Sequence, residues 1–149
     1  MVLDIVRDYR NPPQNKDGKK DDVEIEVSVS SKHTPVFVKA DKYRLVQVIT
    51  NLLSNAAKFT KKGRIIICMD QKGGNNIPEV VVSVRDTGQG IDPDILPRLF
   101  SRFASKSYQG TGLGLYISKG IVEAHGGKIW AENNEDGKGA TFTFSVPIG

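Results

Sequence analysis

The spacing of apolar and polar residues divides this chain into helices and strands. Its longest uninterrupted signal runs from Asp41 to Thr60, with no Gly or Pro, and predicts one helix with Asp41 as N-cap. At about 100° per residue, Leu45, Val48, Ile49, Leu52, Leu53 and Ala56 fall on one broad apolar face. Arg44, Gln47, Asn51, Asn55 and Lys58 line a stripe on the opposite side. Such a stripe is either a solvated face or a set of groups held for a ligand. Asn is a poor helix former that competes for backbone hydrogen bonds, so an exposed face would more naturally use Glu, Lys or Gln. A neutral amide oxygen can ligate a hard cation, and an ammonium can meet a phosphate.

Met1 to Arg10 predicts a short amphipathic helix, and Asn11 to Asp22, rich in Pro and charge, an exposed loop. Val23 to Ser30 alternates with the period of a half-buried strand, and Pro35 to Lys39 reads as a second short strand. After the long helix, Gly63 opens a strand from Arg64 to Asp70. Gln71 to Pro78 is a hairpin loop leading to Glu79 to Arg85, a strand apolar enough for cover on both faces. Asp92, with Pro93 at the first helical position, starts a short helix through about Phe103. Ala104 to Gln109 is a polar connection, and Leu113 to Ala124 a second long helix stopped by His125-Gly126-Gly127. Lys128 to Asn133, a turn at Asn134 to Gly139, and Ala140 to Pro147 form a closing hairpin. Hairpins broken by helices predict an α+β sandwich, with helices on one face of a mixed sheet. Residues 1–149 read as a single domain, of which 1–22 are a lead-in.

Composition narrows this picture only a little. At 149 residues the chain can bury a core without disulfides or structural metal. Its single cysteine, Cys68, sits in an apolar strand and reads as a small hydrophobe, not a nucleophile. No apolar run reaches the length of a membrane span and no signal pattern opens the chain. The expectation is a soluble cytoplasmic domain, in a parent either membrane-anchored or soluble. A net charge of +4 raises nucleic-acid binding, but Lys16, Lys19 and Lys20 are offset by Asp21 and Asp22. The other basic residues are scattered without interleaved aromatics, so no nucleic-acid partner is expected. An anionic small ligand explains the excess equally well.

Two glycine-rich stretches carry further chemistry. Asp86-Thr-Gly88-Gln-Gly90-Ile91 follows a buried strand, which puts Asp86 at the strand end. A carboxylate there can accept a hydrogen bond from an exocyclic amine such as that of adenine, while Gly88 lets a ring approach the backbone. The plainer alternative is an Asx-type turn ending the strand. Gly110-Thr111-Gly112-Leu113-Gly114-Leu115 precedes a helix, and glycine-rich backbone at a helix N-terminus is a ready anion site. Its third Gly is misplaced for a dinucleotide fingerprint, and the chain has no Gly-Lys-Ser or Gly-Lys-Thr for a Walker A loop.

Together these stretches resemble the catalytic, ATP-binding domain of sensor histidine kinases, in the superfamily shared with gyrase B, heat-shock chaperones and mismatch-repair ATPases. Asn51-Leu-Leu-Ser-Asn55-Ala-Ala-Lys58-Phe59-Thr60 resembles the N box, and Asp86 to Gly90 the first glycine box. Leu99 to Phe103 resembles the F box, and Gly110 to Leu115 the second glycine box. Asp41-x-x-Arg44, Ile121 to Trp130 and Gly139 to Phe144 extend the likeness, which covers the chain from about Val23 onward. The resemblance implies a Bergerat-type fold, a two-layer sandwich with a mostly antiparallel sheet. It implies ATP and Mg2+ as cofactors, and a catalytic set of Asn51, Asn55 and Lys58. Asn55 would ligate the magnesium, Asn51 support it, Lys58 contact phosphate and Phe59 lie against the nucleoside. Asp86 would read the adenine amine beside Gly88, Gly90 and Ile91, with Thr141 nearby through water. Gly110, Thr111, Gly112, Leu113, Gly114 and Leu115 would wrap the phosphates, and the segment between Phe103 and Gly110, which contains Lys106, would be the mobile ATP lid.

The family's phospho-accepting His lies in a separate helical dimerisation domain. His33 and His125 stand in other contexts and read as structural, so the chain alone is expected not to autophosphorylate. Partners implied are that histidine-bearing domain of the same protein, a downstream response regulator and a second copy in a homodimeric parent. The lid is short, and Ala104 and Ser105 stand where many relatives carry Arg, leaving Lys106 or Arg102 to supply the charge. An anti-sigma-type serine kinase or a regulatory nucleotide-binding module of the same superfamily is the alternative.

Overall fold

The computed structural model describes residues 23–29, 37–73, 77–102 and 113–148. The expected N-terminal helix and loop, the lid, and Phe103, Lys106, Gly110, Thr111 and Gly112 lie outside the described residues. Strand β1 (Val23–Val29) is followed by helix α1 (Lys42–Phe59), β2 (Gly63–Lys72) and β3 (Glu79–Asp86). Helix α2 (Gly114–Ala124), β4 (Lys128–Asn133) and β5 (Ala140–Pro147) complete the order. The five strands form one sheet in the order β1-β2-β3-β5-β4, with β1 parallel to β2 and every other pair antiparallel. Both helices pack on one face, α1 over β2 and β3 and α2 over β4 and β5. The fold is the α+β two-layer arrangement expected.

Helix α1 forms where its pattern predicts. Asp41 Oδ1 accepts the Tyr43 and Arg44 amides at 3.0 and 3.2 Å, which satisfies two of the helix's orphan donors. All six residues of the apolar face are buried. They meet Ile65, Ile67, Val82, Val84, Phe142 and Phe144 from the sheet and Val122 from α2. Each large side chain buried there contributes about 1.5–3 kcal/mol, so this seam holds the layers together. His125 joins the two helices at one end. Its Nδ1–H donates to the Ile121 carbonyl at 2.7 Å, and its Nε2 accepts the Asp41 amide at 3.0 Å. Those partners set a neutral ring with both nitrogens engaged, the structural role expected of it.

Three expectations change. Of the strand expected at Pro35 to Lys39, residues 35 and 36 lie outside the described residues, and 37–39 form no strand but lead into α1 on the crossover that the parallel neighbours β1 and β2 require. From Asp92 to Arg102 no α-helix forms. A turn leads into a single 3-10 turn, Leu96–Arg98, with i to i+3 bonds such as Arg98 N to Ile95 O at 2.9 Å. Pro97 has no amide to donate and interrupts the helical ladder. On the outer face of β3, Val81 is buried but Arg85 is exposed, so cover on that side is partial. Among the described residues no helix is long and apolar enough to cross a membrane.

Candidate nucleotide-binding site

The site is assembled where the C-terminal end of α1, the end of β3, the β4–β5 turn and the start of α2 converge. Asp86 closes β3 with only 3% of its surface exposed. Its Oδ1 accepts the Gly88 amide at 2.9 Å and the Ala140 amide at 3.3 Å. Burial raises its pKa above the ordinary aspartate value, and the two backbone amides pull the other way. The Asx-type turn thus accounts for Oδ1. Among the described residues no hydrogen bond reaches Oδ2, the oxygen left to accept from a ligand.

Gly88 has a packing reason to be glycine. A Cβ there would collide with the Phe59 carbonyl and stand 2.9 Å from Thr60 Oγ1, so the loop is packed directly on the end of α1. Thr60 is itself buried, and its hydroxyl has no hydrogen-bond partner among the described residues. An orphan of that kind costs about 1–3 kcal/mol. It stands beside the loop that carries Asp86.

The polar stripe of α1 splits into three environments. Arg44 Nη1 donates to Gln47 Oε1 at 3.3 Å on the surface. Asn51 turns to α2, where its Nδ2 donates to the Gly114 carbonyl at 3.2 Å and to Ser118 Oγ at 3.1 Å. Ser118 is fully buried, so Asn51 is a strut between helices. Asn55, one turn further on, is half-buried, and no hydrogen bond among the described residues engages its amide. Lys58 Nζ lies 5.3 Å from the centroid of the Phe59 ring. Helix α2 begins at Gly114 behind Leu113, and no side chain caps it. Leu115 is half-buried against the core. Arg102 stacks over Tyr116 of α2 at 5.3 Å, which brings one of the two expected cations to this helix.

Thr141 does not face Asp86. The register pairs it with Arg85, on the outer side of the sheet, while Asp86 and Ala140 share the inner side with Val84 and Phe142. Its hydroxyl donates to Asn134 Oδ1 at 2.6 Å. The strand period therefore puts Ala140, not Thr141, next to the carboxylate.

Sequence reasoning passed over Asn133 and Asn134, which it read only as a strand end and a turn. Asn134 Nδ2 donates to the Asp86 carbonyl at 3.0 Å and to the Lys138 carbonyl at 2.8 Å. Asn133 holds Gly90's neighbour Ile91 by its peptide groups. An Asn-Asn pair before a Gly-rich turn is an ordinary turn signal, so nothing local marked it.

A family model for "Histidine kinase-, DNA gyrase B-, and HSP90-like ATPase" matches residues 40–149. The chain belongs to that family. Within it the chain is of the sensor-histidine-kinase type. It is 46% identical over 127 residues to the sensor protein KdpD of Clostridium acetobutylicum, a match that covers 81% of this chain and 14% of KdpD. The solved full-length ShkA in complex with AMPPNP is similar over 100% of this chain and 30% of its own, with 32% identity and a TM-score of 0.78. The nucleotide-free catalytic domain of the histidine kinase ThkA is similar with 32% identity and a TM-score of 0.75, over 99% of this chain and 94% of that one. The chain spans less than a quarter of the length of the curated relatives it matches most strongly.

Proposed function

We propose that this domain binds MgATP and presents the γ-phosphate to a histidine carried by a separate dimerisation domain. The observation that carries the reading is Asp86, buried at the end of β3, with Oδ1 committed to two backbone amides and Oδ2 free of hydrogen bonds among the described residues. An open carboxylate oxygen fixed at the floor of a loop is suited to accept the adenine amine. Asn55 and Lys58 lie on the same face of α1 and are suited to the phosphate end. Asn51 supports them indirectly, by holding α2 against α1.

The donor set fits magnesium that arrives with the nucleotide. Among the described residues no three His, Cys, Asp or Glu side chains gather to hold a metal. Mg2+ is commonly held by one or two protein oxygens together with phosphates and water, and Asn55 would be the protein's oxygen. Bound magnesium would neutralise phosphate charge. The chain's own residues would orient the base, steady α2 and place an ammonium at the phosphates, so that the protein contributes position and charge.

His125 has both ring nitrogens engaged and is not the acceptor. The acceptor and its proton-handling partner belong to another domain, and a response regulator would receive the phosphoryl group afterwards. Tyr116 and Ile117 of α2, 41% and 39% exposed, offer an apolar face beside the phosphate end for the acceptor domain. A parent that acts as a homodimer is part of the same reading.

Calorimetric titration tests it with ADP and a non-hydrolysable ATP analogue, with and without magnesium, on wild type, Asp86→Asn and Asn55→Asp. The expected result is ADP affinity about 100-fold lower in Asp86→Asn and an altered magnesium dependence in Asn55→Asp. A folded wild type that binds neither nucleotide would sink the proposal.

A further inference from the structure

We infer that the Asn133–Asn134 pair of the β4–β5 turn is the positioning device that gives Asp86 its selectivity for a 6-amino purine. The inference rests on the reading of Asp86 given above and goes one step beyond it. Beyond Asp86 the chain leaves the sheet, so the loop to Ile91 has no strand to hold it on the side of β4 and β5. On its other side Thr87 pairs with Arg64, amide to carbonyl at 3.1 Å and Oγ1 to amide at 3.0 Å.

Two asparagine side chains supply what the sheet does not. Asn133 Oδ1 accepts the Ile91 amide at 2.7 Å, and Asn133 Nδ2 donates to the Ile91 carbonyl at 2.9 Å. A side-chain amide has the same donor and acceptor pair as a peptide, so this clasp stands in for one rung of a β-ladder. Asn134 takes the other end of the loop by the Asp86 carbonyl at 3.0 Å. It is itself anchored by Lys138 O and by the Thr141 hydroxyl, and it is buried. Gly90 completes the fit. Its φ of 80° suits glycine, and a Cβ there would stand 2.9 Å from Asn133 Oδ1. One turn therefore grips the loop at both ends, and Thr141, on the outer side of the sheet, is the support of Asn134.

Rigidity matters here because a carboxylate selects by repulsion as much as by attraction. It accepts from the 6-amino group of adenine and opposes the 6-oxo group of hypoxanthine only while it cannot move aside. A loosened loop lets Asp86 swing or admit water, and the penalty against the oxo base relaxes. The phosphate end, built on α1 and α2, is untouched by the clasp.

The test is the ratio of affinities for ADP and inosine diphosphate in wild type, Asn133→Ala and Gly90→Ala. The expected result is a wild-type preference for ADP that falls about tenfold in each variant, because ADP binds more weakly while inosine diphosphate binds as well or more tightly. Equal weakening of both nucleotides, or an unchanged ratio, would mean that the pair serves the fold only, and the inference is then withdrawn. A wild type that binds ADP without preferring it overturns the reading of Asp86 itself, and the inference with it. Amide hydrogen exchange on the free wild type gives a check independent of the variants. Slow exchange at Ile91 and Gly88 before nucleotide is added supports the clasp, and fast exchange at Ile91 overturns it.

Discussion

The two ends of the site are built on different terms. At the end proposed for the base, Asp86, Gly88 and Ile91 are locked by backbone amides and by the asparagines of the β4–β5 turn. At the end proposed for the phosphates, among the described residues, Asn55 has no hydrogen bond and Lys58 rests on its neighbour's ring. The difference teaches how such a domain divides its work. Recognition of a flat, uncharged base needs geometry fixed in advance, because each bond is weak and directional. Capture of a polyphosphate with its cation relies on charge, which reaches further and tolerates side chains that settle after contact.

The sharpest way to break the contrast is at Gly88. Gly88→Ala drives a methyl group into the Phe59 carbonyl at the end of α1, and thermal unfolding should report a loss of about 3 kcal/mol or more. Asp86→Asn comes next. It should lower ADP affinity about 100-fold in a calorimeter, since it removes the charge from one hydrogen bond and offers an amide donor to the adenine amine in its place. Stability without nucleotide should stay level or rise. Burial raises the Asp86 pKa, so the protonated form favours folding, a contribution present below the unfolded value of 3.8 and lost as pH rises through the higher folded one. For the same reason ADP affinity should fall on acidification with a midpoint above 3.8, and that midpoint should vanish in Asp86→Asn.

At the other end the effects should be smaller. Lys58→Ala should cost about tenfold in affinity for an ATP analogue and little for adenosine, a split that assigns the ammonium to phosphate. Equal losses for both ligands would remove Lys58 from the phosphate end. Asn51→Ala should lower stability by about 1 kcal/mol in denaturant titration by freeing α2 from α1, with only a secondary effect on binding.

The parts of the fold visible in the sequence are those set by short-range periodicity. All six apolar positions of α1 were legible because a helical wheel fixes them once the period is known. The run after Asp92 was misread because one residue, Pro97, outweighs a favourable start at Asp92 and Pro93. Thr141 was misplaced for a different reason. A one-residue shift along a strand changes the face, and only the pairing of Arg85 with Thr141 shows which face each residue takes. Asn133 and Asn134 act across a long stretch of chain on Ile91 and Asp86, and no local pattern reports a contact at that separation.

The link through His125 can also be viewed as a mechanical part. It pins the C-terminal end of α2 to the cap of α1, at the end of the helix remote from Gly114. An 11-residue helix is about 16 Å long, so a tilt of about 5° about that pin carries Gly114 through about 1.4 Å. The arm is long enough to turn a slight rocking at His125 into a displacement on the scale of a hydrogen bond at its tip. Asn51, which grips the arm at Ser118 and Gly114, opposes any such tilt.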